Sequence, residues 1–489
     1  MHRLVHHYRV QSFDPKDWEE FASLAHRMVD ESLAHLRSLH EQPAWQQTPT
    51  EVQRNLLEEP LPLGPQGEEA VYEQFMRDVL PYPNGNLGPR FYGWVQGNGM
   101  PFAMMADMLA AGMNPHMAGF NQAPRQVEEK VLDWLREMMG FPEGASGMLT
   151  SGGSMASTTG LAVARFAKAG YDVRQEGLWS ASQMVVYGST ETHSWASKAV
   201  ELLGMGRDSL RLVRTHEDLT MDLTALQEAI SLDRAQGLQP IAVLATAGTV
   251  NTGATDDLNA IADICAQERL WMHVDGAFGA LAKLSPKYRH LVDGLERADS
   301  VAFDLHKWMY LPFEIACLLV RDGETHRATF AQEASYISPL DRGTIQGGLN
   351  FADYGIELTR SFKALKAWMC LKAYGIKKFG AVIEQNIEQA QVLARLIDAH
   401  PKLERMAPAP MNVVCFRYKG TGNLDKLNKE ILFRLQEQGR AVPSSTIIND
   451  DFCLRACIVN HRTRFDDIQR LVDDVVELGN EISQNAGDD

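Results

Sequence analysis

Apolar positions along this chain keep two different rhythms. Between residues 12 and 39, Phe21, Leu24, Ala25, Met28 and Leu36 recur at helical spacing, and residues 42–49 break the pattern. A proline-rich connector at 60–65 leads to a second amphipathic stretch at 68–79. This first segment, residues 1–88, has little apolar content for a core of its own, so it is expected to pack on another surface, with a partner subunit as the natural choice. From 89 to 375 the rhythm changes. Short continuous apolar runs at 184–187, 241–246, 271–274, 301–303 and 315–320 alternate with helical patterns such as 223–232 and 258–268. Strands buried on both faces read as continuous apolar runs. Their alternation with helices predicts an α/β domain with a mostly parallel sheet covered on both sides. Residues 376–489 carry a long helical pattern, a run at 413–418, a helix, a run at 452–459 and a final amphipathic helix, which predicts a small α+β domain.

Composition narrows the class. At 489 residues, two or three domains are expected. A formal net charge of −16 disfavours nucleic acid and anionic membranes, which call for clustered Lys and Arg. A small anionic ligand stays open, because backbone N–H groups bind phosphate without a basic surface. The six cysteines sit mostly inside apolar runs and are expected to be reduced and buried. No apolar run is long enough to span a bilayer, and residues 1–14 hold three histidines without an apolar signal core. The expected location is cytoplasmic.

In a parallel sheet, ligands bind at the carboxyl ends of strands, so chemistry is sought just after each run. The run at 271–274 opens into His273-Val274-Asp275-Gly276-Ala277. A carboxylate at the mouth of a buried sheet needs a cationic partner, although such an Asp alone is more often structural. Asp304-Leu305-His306-Lys307-Trp308 follows 301–303. A lysine there suits attack on an aldehyde, whereas a lone lysine is usually solvated. Thr150-Ser151-Gly152-Gly153-Ser154-Met155-Ala156 precedes a helical pattern at 157–168 and reads as an anion site or as a plain capped loop. No P-loop and no strand-borne dinucleotide fingerprint is present. Thr190-Glu191-Thr192-His193-Ser194-Trp195 follows 184–187, and His193 either lies on an aromatic cofactor or is an ordinary structural histidine. Together the four elements are what pyridoxal phosphate requires: an imine-forming lysine, an aspartate to keep the pyridine nitrogen protonated, a stacking histidine and a helix N-terminus for the phosphate.

The order and wording of these motifs resemble the group II pyridoxal-phosphate decarboxylases, the family of aromatic L-amino-acid, glutamate and cysteine-sulfinate decarboxylases. The most specific pieces are His273-Val274-Asp275-Gly276-Ala277-Phe278-Gly279, Ala298-Asp299-Ser300 leading to His306-Lys307-Trp308, and residues 353–374 with Glu357-Leu358-Thr359-Arg360. The resemblance implies a fold type I (aspartate aminotransferase-like) enzyme, a homodimer with active sites at the subunit interface, and an amino-acid substrate. It makes Lys307 the Schiff-base lysine and Asp275 the partner of the pyridinium nitrogen. His193 and Ala277 sandwich the ring, and Thr246 lies beside it. Gly153, Ser154 and His306 hold the phosphate, with Asp304 nearby. Arg360 either holds the substrate carboxylate or braces the site, and Tyr336, in a mobile loop, donates the proton that replaces carbon dioxide. Relatives with Phe in that loop, or with Asn for the stacking His, tend to be oxygen-consuming aldehyde synthases, so Tyr336 and His193 favour simple decarboxylation. The family's aromatic pocket maps onto Trp94, His116 and Phe120, but Val95 and Gln96 replace an aromatic and a proline, and Ser157 stands where Asn is frequent.

Overall fold

The computed structural model of the protein describes residues 11–179, 182–332 and 342–485. It divides into two compact units, one formed by the chain up to Gln42 with Thr48–Pro83, the other by Pro43–Gln47 with Asn84–Asp489. The first unit holds helices Trp18–Ser38, Thr50–Leu57 and Glu68–Asp78. The first of these begins at Trp18 rather than near residue 12, because the Asp17 carboxylate accepts the N–H groups of Glu19 and Glu20 and caps it there. Polar bonds join the first and third helices: Tyr72 Oη donates to Glu31 Oε2 at 2.6 Å, and Arg27 Nη2 lies 2.6 Å from Glu69. Phe21, Met28, Val71 and Phe75 stay exposed.

In the second unit, β1 (Phe91–Tyr92) precedes the main sheet. That sheet consists of β2 (Ser146–Thr150), β3 (Met184–Ser189), β4 (Leu210–Val213), β5 (Gln239–Thr246), β6 (Trp271–Asp275), β7 (Ser300–Asp304) and β8 (Ala316–Val320), in the order β2-β8-β7-β6-β5-β3-β4. Neighbours from β7 to β4 pair in parallel, and β8 runs antiparallel to both β2 and β7. The expected mostly parallel sheet is therefore present. All residues of β3, β6, β7 and β8 are buried, which is why they read as unbroken apolar runs. Helix Gly153–Lys168 packs across β6, β7 and β8. Its Gly160 permits the close approach, since a Cβ there would lie 2.9 Å from His273 Nδ1.

Toward the C-terminus, β9 (Leu403–Arg405), β10 (Val413–Tyr418), β11 (Val442–Ile448) and β12 (Asp451–Cys457) join β1 in a five-stranded sheet ordered β1-β11-β12-β10-β9. Phe91 and Tyr92 pair in parallel with Val442 and Pro443, so a strand from early in the chain completes the C-terminal sheet. The 24-residue helix Ile376–Ala399 links the two cores. Its Phe379, Ile383 and Ile387 enter the core of the main sheet, while Ala390, Leu393 and Ile397 enter the C-terminal one. All six cysteines are buried and unpaired as disulfides.

Candidate active site

The register of the main sheet brings the strand ends together. Thr246 at the end of β5 pairs with Asp275 at the end of β6, and Asp275 pairs with Ala302 of β7, two residues before Asp304. Because β8 is antiparallel to its neighbours, β2 runs with β7, and Thr150 meets the same edge through Ala316. The sequence after β2 then opens helix Gly153–Lys168, and the sequence after β3 supplies His193. A cavity of about 570 Å³ forms there. Lys307, His306, Asp304, Asp275, Ala277 and Thr246 line it, together with His193, Gly153, Ser154 and Trp94.

Lys307 Nζ lies 2.9 Å from Asp304 Oδ2. His306 Nδ1 accepts the N–H of Ile315 at 3.2 Å, so in the neutral ring the proton sits on Nε2, 3.8 Å from the same Asp304 oxygen. Asp304 is 2% exposed, and its Oδ1 has no hydrogen-bond partner among the described residues. Asp275 Oδ1 accepts the N–H of Ala277 at 3.1 Å, and Oδ2 accepts the indole N–H of Trp195 at 2.6 Å. Burial holds His193 below the usual imidazole range, against the opposing pull of Asp275, and burial lowers His306 likewise. Thr246 is held from behind: its N–H donates to Asp256 Oδ2 at 2.8 Å, and burial pushes that carboxyl up to about 6. Trp94 has a φ of +50°, in the left-handed region. Its N–H donates to Ser444 Oγ and its carbonyl accepts Arg455 Nη1, so the C-terminal sheet fixes this part of the cavity wall.

Three expected substrate contacts are placed elsewhere. Arg360 is 6% exposed and does not reach the cavity lining. Its Nη2 lies 2.5 Å from Glu128 Oε1 and also donates to the Leu149 carbonyl, while Nη1 donates to the Met117 carbonyl. Of the two roles implied for Arg360, holding the substrate carboxylate or bracing the site, these bonds are those of bracing. His116 and Phe120 also lie off the cavity lined by this chain. Helix Pro101–Met113 ends at Asn114 in the left-handed conformation, and the segment beyond it bonds to Arg360 through Met117 and to Phe351 through Ala118. The two rings pack edge to face at 5.5 Å. Tyr336 lies outside the described residues.

Sequence reasoning passed over other lining residues, among them Trp195, Glu191 and Glu314. Glu191 and Trp195 flank His193 in the motif already singled out. Glu314 lies two residues before β8, whose reversed direction was not legible, so its position at this edge carried no signal.

The residues present suit pyridoxal phosphate. Gly152 caps helix Gly153–Lys168 without any side-chain hydrogen bond, so the first-turn N–H groups are free to take a phosphate where Ser151, Gly152, Gly153 and Ser154 line the cavity. A carboxylate, an imidazole and a primary amine converge beside them. Fold and site together define a fold type I pyridoxal-phosphate enzyme. The profile of the pyridoxal-dependent decarboxylase conserved domain matches residues 49–419, and the chain belongs to that family. It is a pyridoxal-phosphate-dependent amino-acid decarboxylase. An aromatic-L-amino-acid decarboxylase of Bacillus atrophaeus is 32% identical over 472 residues, covering 95% of this chain and 96% of that one. The crystal structure of Oryza sativa TDC with PLP and tryptamine matches with a TM-score of 0.89 at 25% identity, covering 96% and 100% of the two chains. Catharanthus roseus tryptophan decarboxylase in complex with L-tryptophan matches with a TM-score of 0.87 at 25% identity, over 96% and 100%.

Proposed function

We propose that this enzyme decarboxylates an aromatic L-amino acid to the corresponding amine. The observation that carries the reading is Trp94, a broad apolar ring 53% exposed at the cavity wall, suited to stacking on an aromatic side chain. The aromatic specificity named for the Bacillus atrophaeus, Oryza sativa and Catharanthus roseus proteins supports it.

In this reading Lys307 carries the cofactor through Nζ, and the uncapped N-terminus of helix Gly153–Lys168 holds the phosphate with His306. Bound pyridoxal phosphate supplies an electron sink for the pair left behind when the carboxylate departs as carbon dioxide. Asp275 holds a proton at the pyridine nitrogen, and its carboxylate is kept in place by the N–H groups of Ala277 and Trp195. His193 and Ala277 both line the cavity and would cover the ring and exclude water from it. Asp304 takes or returns the proton of Lys307 Nζ over 2.9 Å. Tyr336 supplies the proton that replaces the carboxylate at the α-carbon, which favours amine over aldehyde.

The enzyme is proposed to act as a homodimer. Exposed Phe21, Met28, Val71 and Phe75 give the N-terminal helices an apolar surface for a second copy. Light scattering should give twice the chain mass; a fully active monomer would refute it. The functional test is mass spectrometry of products from a panel of L-amino acids with pyridoxal phosphate, with peroxide followed in parallel. Amine from aromatic substrates without peroxide is expected, and Tyr336→Phe should lose amine and gain aldehyde. Turnover confined to non-aromatic substrates would overturn the aromatic reading.

A further inference from the structure

Trp195 opens helix Trp195–Leu202, directly after the loop that carries His193, and it is 3% exposed. It touches the two groups on either side of it in different ways. Its backbone N–H donates to His193 Nδ1 at 3.2 Å, which leaves the proton of the neutral imidazole on Nε2. Its indole N–H donates to Asp275 Oδ2 at 2.6 Å, a short contact. The indole cannot swing away from that contact. It packs edge to face on His273, with centroids 5.5 Å apart and planes at 74°. His273 is in turn fixed from below, since its Nδ1 lies 2.8 Å from Ser300 Oγ, which also accepts the indole N–H of Trp271. Trp271, His273 and Asp275 alternate along β6, so all three side chains face the same side of the sheet. The result is a buried polar column ending at the carboxylate, with Trp195 as its lateral clamp.

We propose that Trp195 is a positioning residue that sets the orientation of Asp275, and through it the grip of the enzyme on the cofactor ring. With Oδ1 already bonded to the Ala277 N–H, the second donor fixes the carboxylate plane and leaves one lone pair on each oxygen for a protonated ring nitrogen. The backbone bond to His193 survives substitution of the side chain, so the two roles of Trp195 are separable.

The inference rests on placing Asp275 against the pyridine nitrogen, and the test keeps the two apart. The full-length protein, freed of cofactor, is titrated with pyridoxal 5′-phosphate by visible absorbance, in wild type, Trp195→Phe, Asp275→Asn and the double variant. Phe keeps the ring packing and removes the N–H. Trp195→Phe should raise Kd about tenfold or more and move the visible band of the bound cofactor, with the cofactor-free protein still folded. In the Asp275→Asn background the same substitution should change Kd less than about twofold. Wild-type affinity in Trp195→Phe, or an equal loss in both backgrounds, would overturn the role of Trp195. Wild-type affinity and spectrum in Asp275→Asn would instead remove Asp275 from the ring nitrogen. Should Trp195→Phe not fold, Trp195→Tyr, which also lacks the N–H at that position, is read by the same cycle.

Discussion

Arg360 illustrates how far a residue's type can be read without its neighbours. Its place in the motif was legible, but its partner Glu128 lies 232 residues away in sequence, and nothing short of the fold reveals the pair. Glu128 is fully buried, and burial raises its carboxyl while Arg360 opposes the rise. Arg360→Met strands that carboxyl, and removing one partner of a buried pair costs about 3–5 kcal/mol. The sign of the pH dependence follows. Without Arg360 the folded-state pKa of Glu128 rises further above its unfolded value, so the variant is least impaired at low pH, and its deficit grows as pH rises through that raised value. Unfolding midpoints of Arg360→Met and Arg360→Met/Glu128→Met at pH 5 and pH 8 check this, with the double variant recovering most of the loss. A raised KM in Arg360→Lys with an unchanged midpoint would restore the substrate-binding role. Lys307, Asp275, His193 and Ala277 were legible because each lies in the short stretch that follows an apolar run. Trp195 was in view and unread, because its partner Asp275 is brought to it by strand pairing.

At the scale of elements, the strands that read clearly were those buried on both faces. β4 is four residues long with only Val213 buried, and β11 contains Pro443, Ser444, Ser445 and Thr446; both become strands through pairing rather than local pattern. The segment after β1 shows what such pairing accomplishes. A Cβ on Gly97 would lie 1.4 Å from the carbonyl oxygen of His306, so this stretch runs directly against the backbone that presents Lys307. Gly97→Ala must push the two backbones apart, costing about 1–3 kcal/mol by overpacking and displacing Lys307 from the cavity. Gly112, in helix Pro101–Met113, has nothing within 4 Å of its Cβ position. Gly112→Ala should therefore leave cofactor binding intact and stabilise the helix by about 0.5–1 kcal/mol. Visible absorbance of the bound cofactor separates the two, and full cofactor retention in Gly97→Ala would contradict the close packing.

Across the whole molecule, the α/β class and its mostly parallel sheet followed from the alternation of apolar runs and helices, whereas the reversal of β8 and the recruitment of β1 to the C-terminal sheet are long-range pairings without a local signature. The same long-range burial sets the response to acid. His326 lies between three segments: Nδ1 is 2.8 Å from Ser146 Oγ, and Nε2 is 2.9 Å from the Tyr354 carbonyl. The carbonyl can only accept, so Nε2 carries the proton and Nδ1 accepts from the hydroxyl. Burial pushes this imidazole down to about 4, and His273 down to about 3. Below pH 6.5 the unfolded chain takes up protons that the folded chain refuses, so the contribution is complete above that pH and is lost as pH falls toward the folded values. For His326 the slope is about 1.4 kcal/mol per pH unit, reaching about 3 kcal/mol. Buried carboxyls with raised values, Asp256 among them, act in the opposite sense over part of this range. The contribution is therefore best isolated by difference. His326→Gln keeps an amide N–H for Tyr354 and an oxygen for Ser146 but takes up no proton. Its urea midpoint should fall less than that of the wild type between pH 7.5 and pH 5, and parallel losses in the two proteins would show that His326 is not a source of the acid sensitivity.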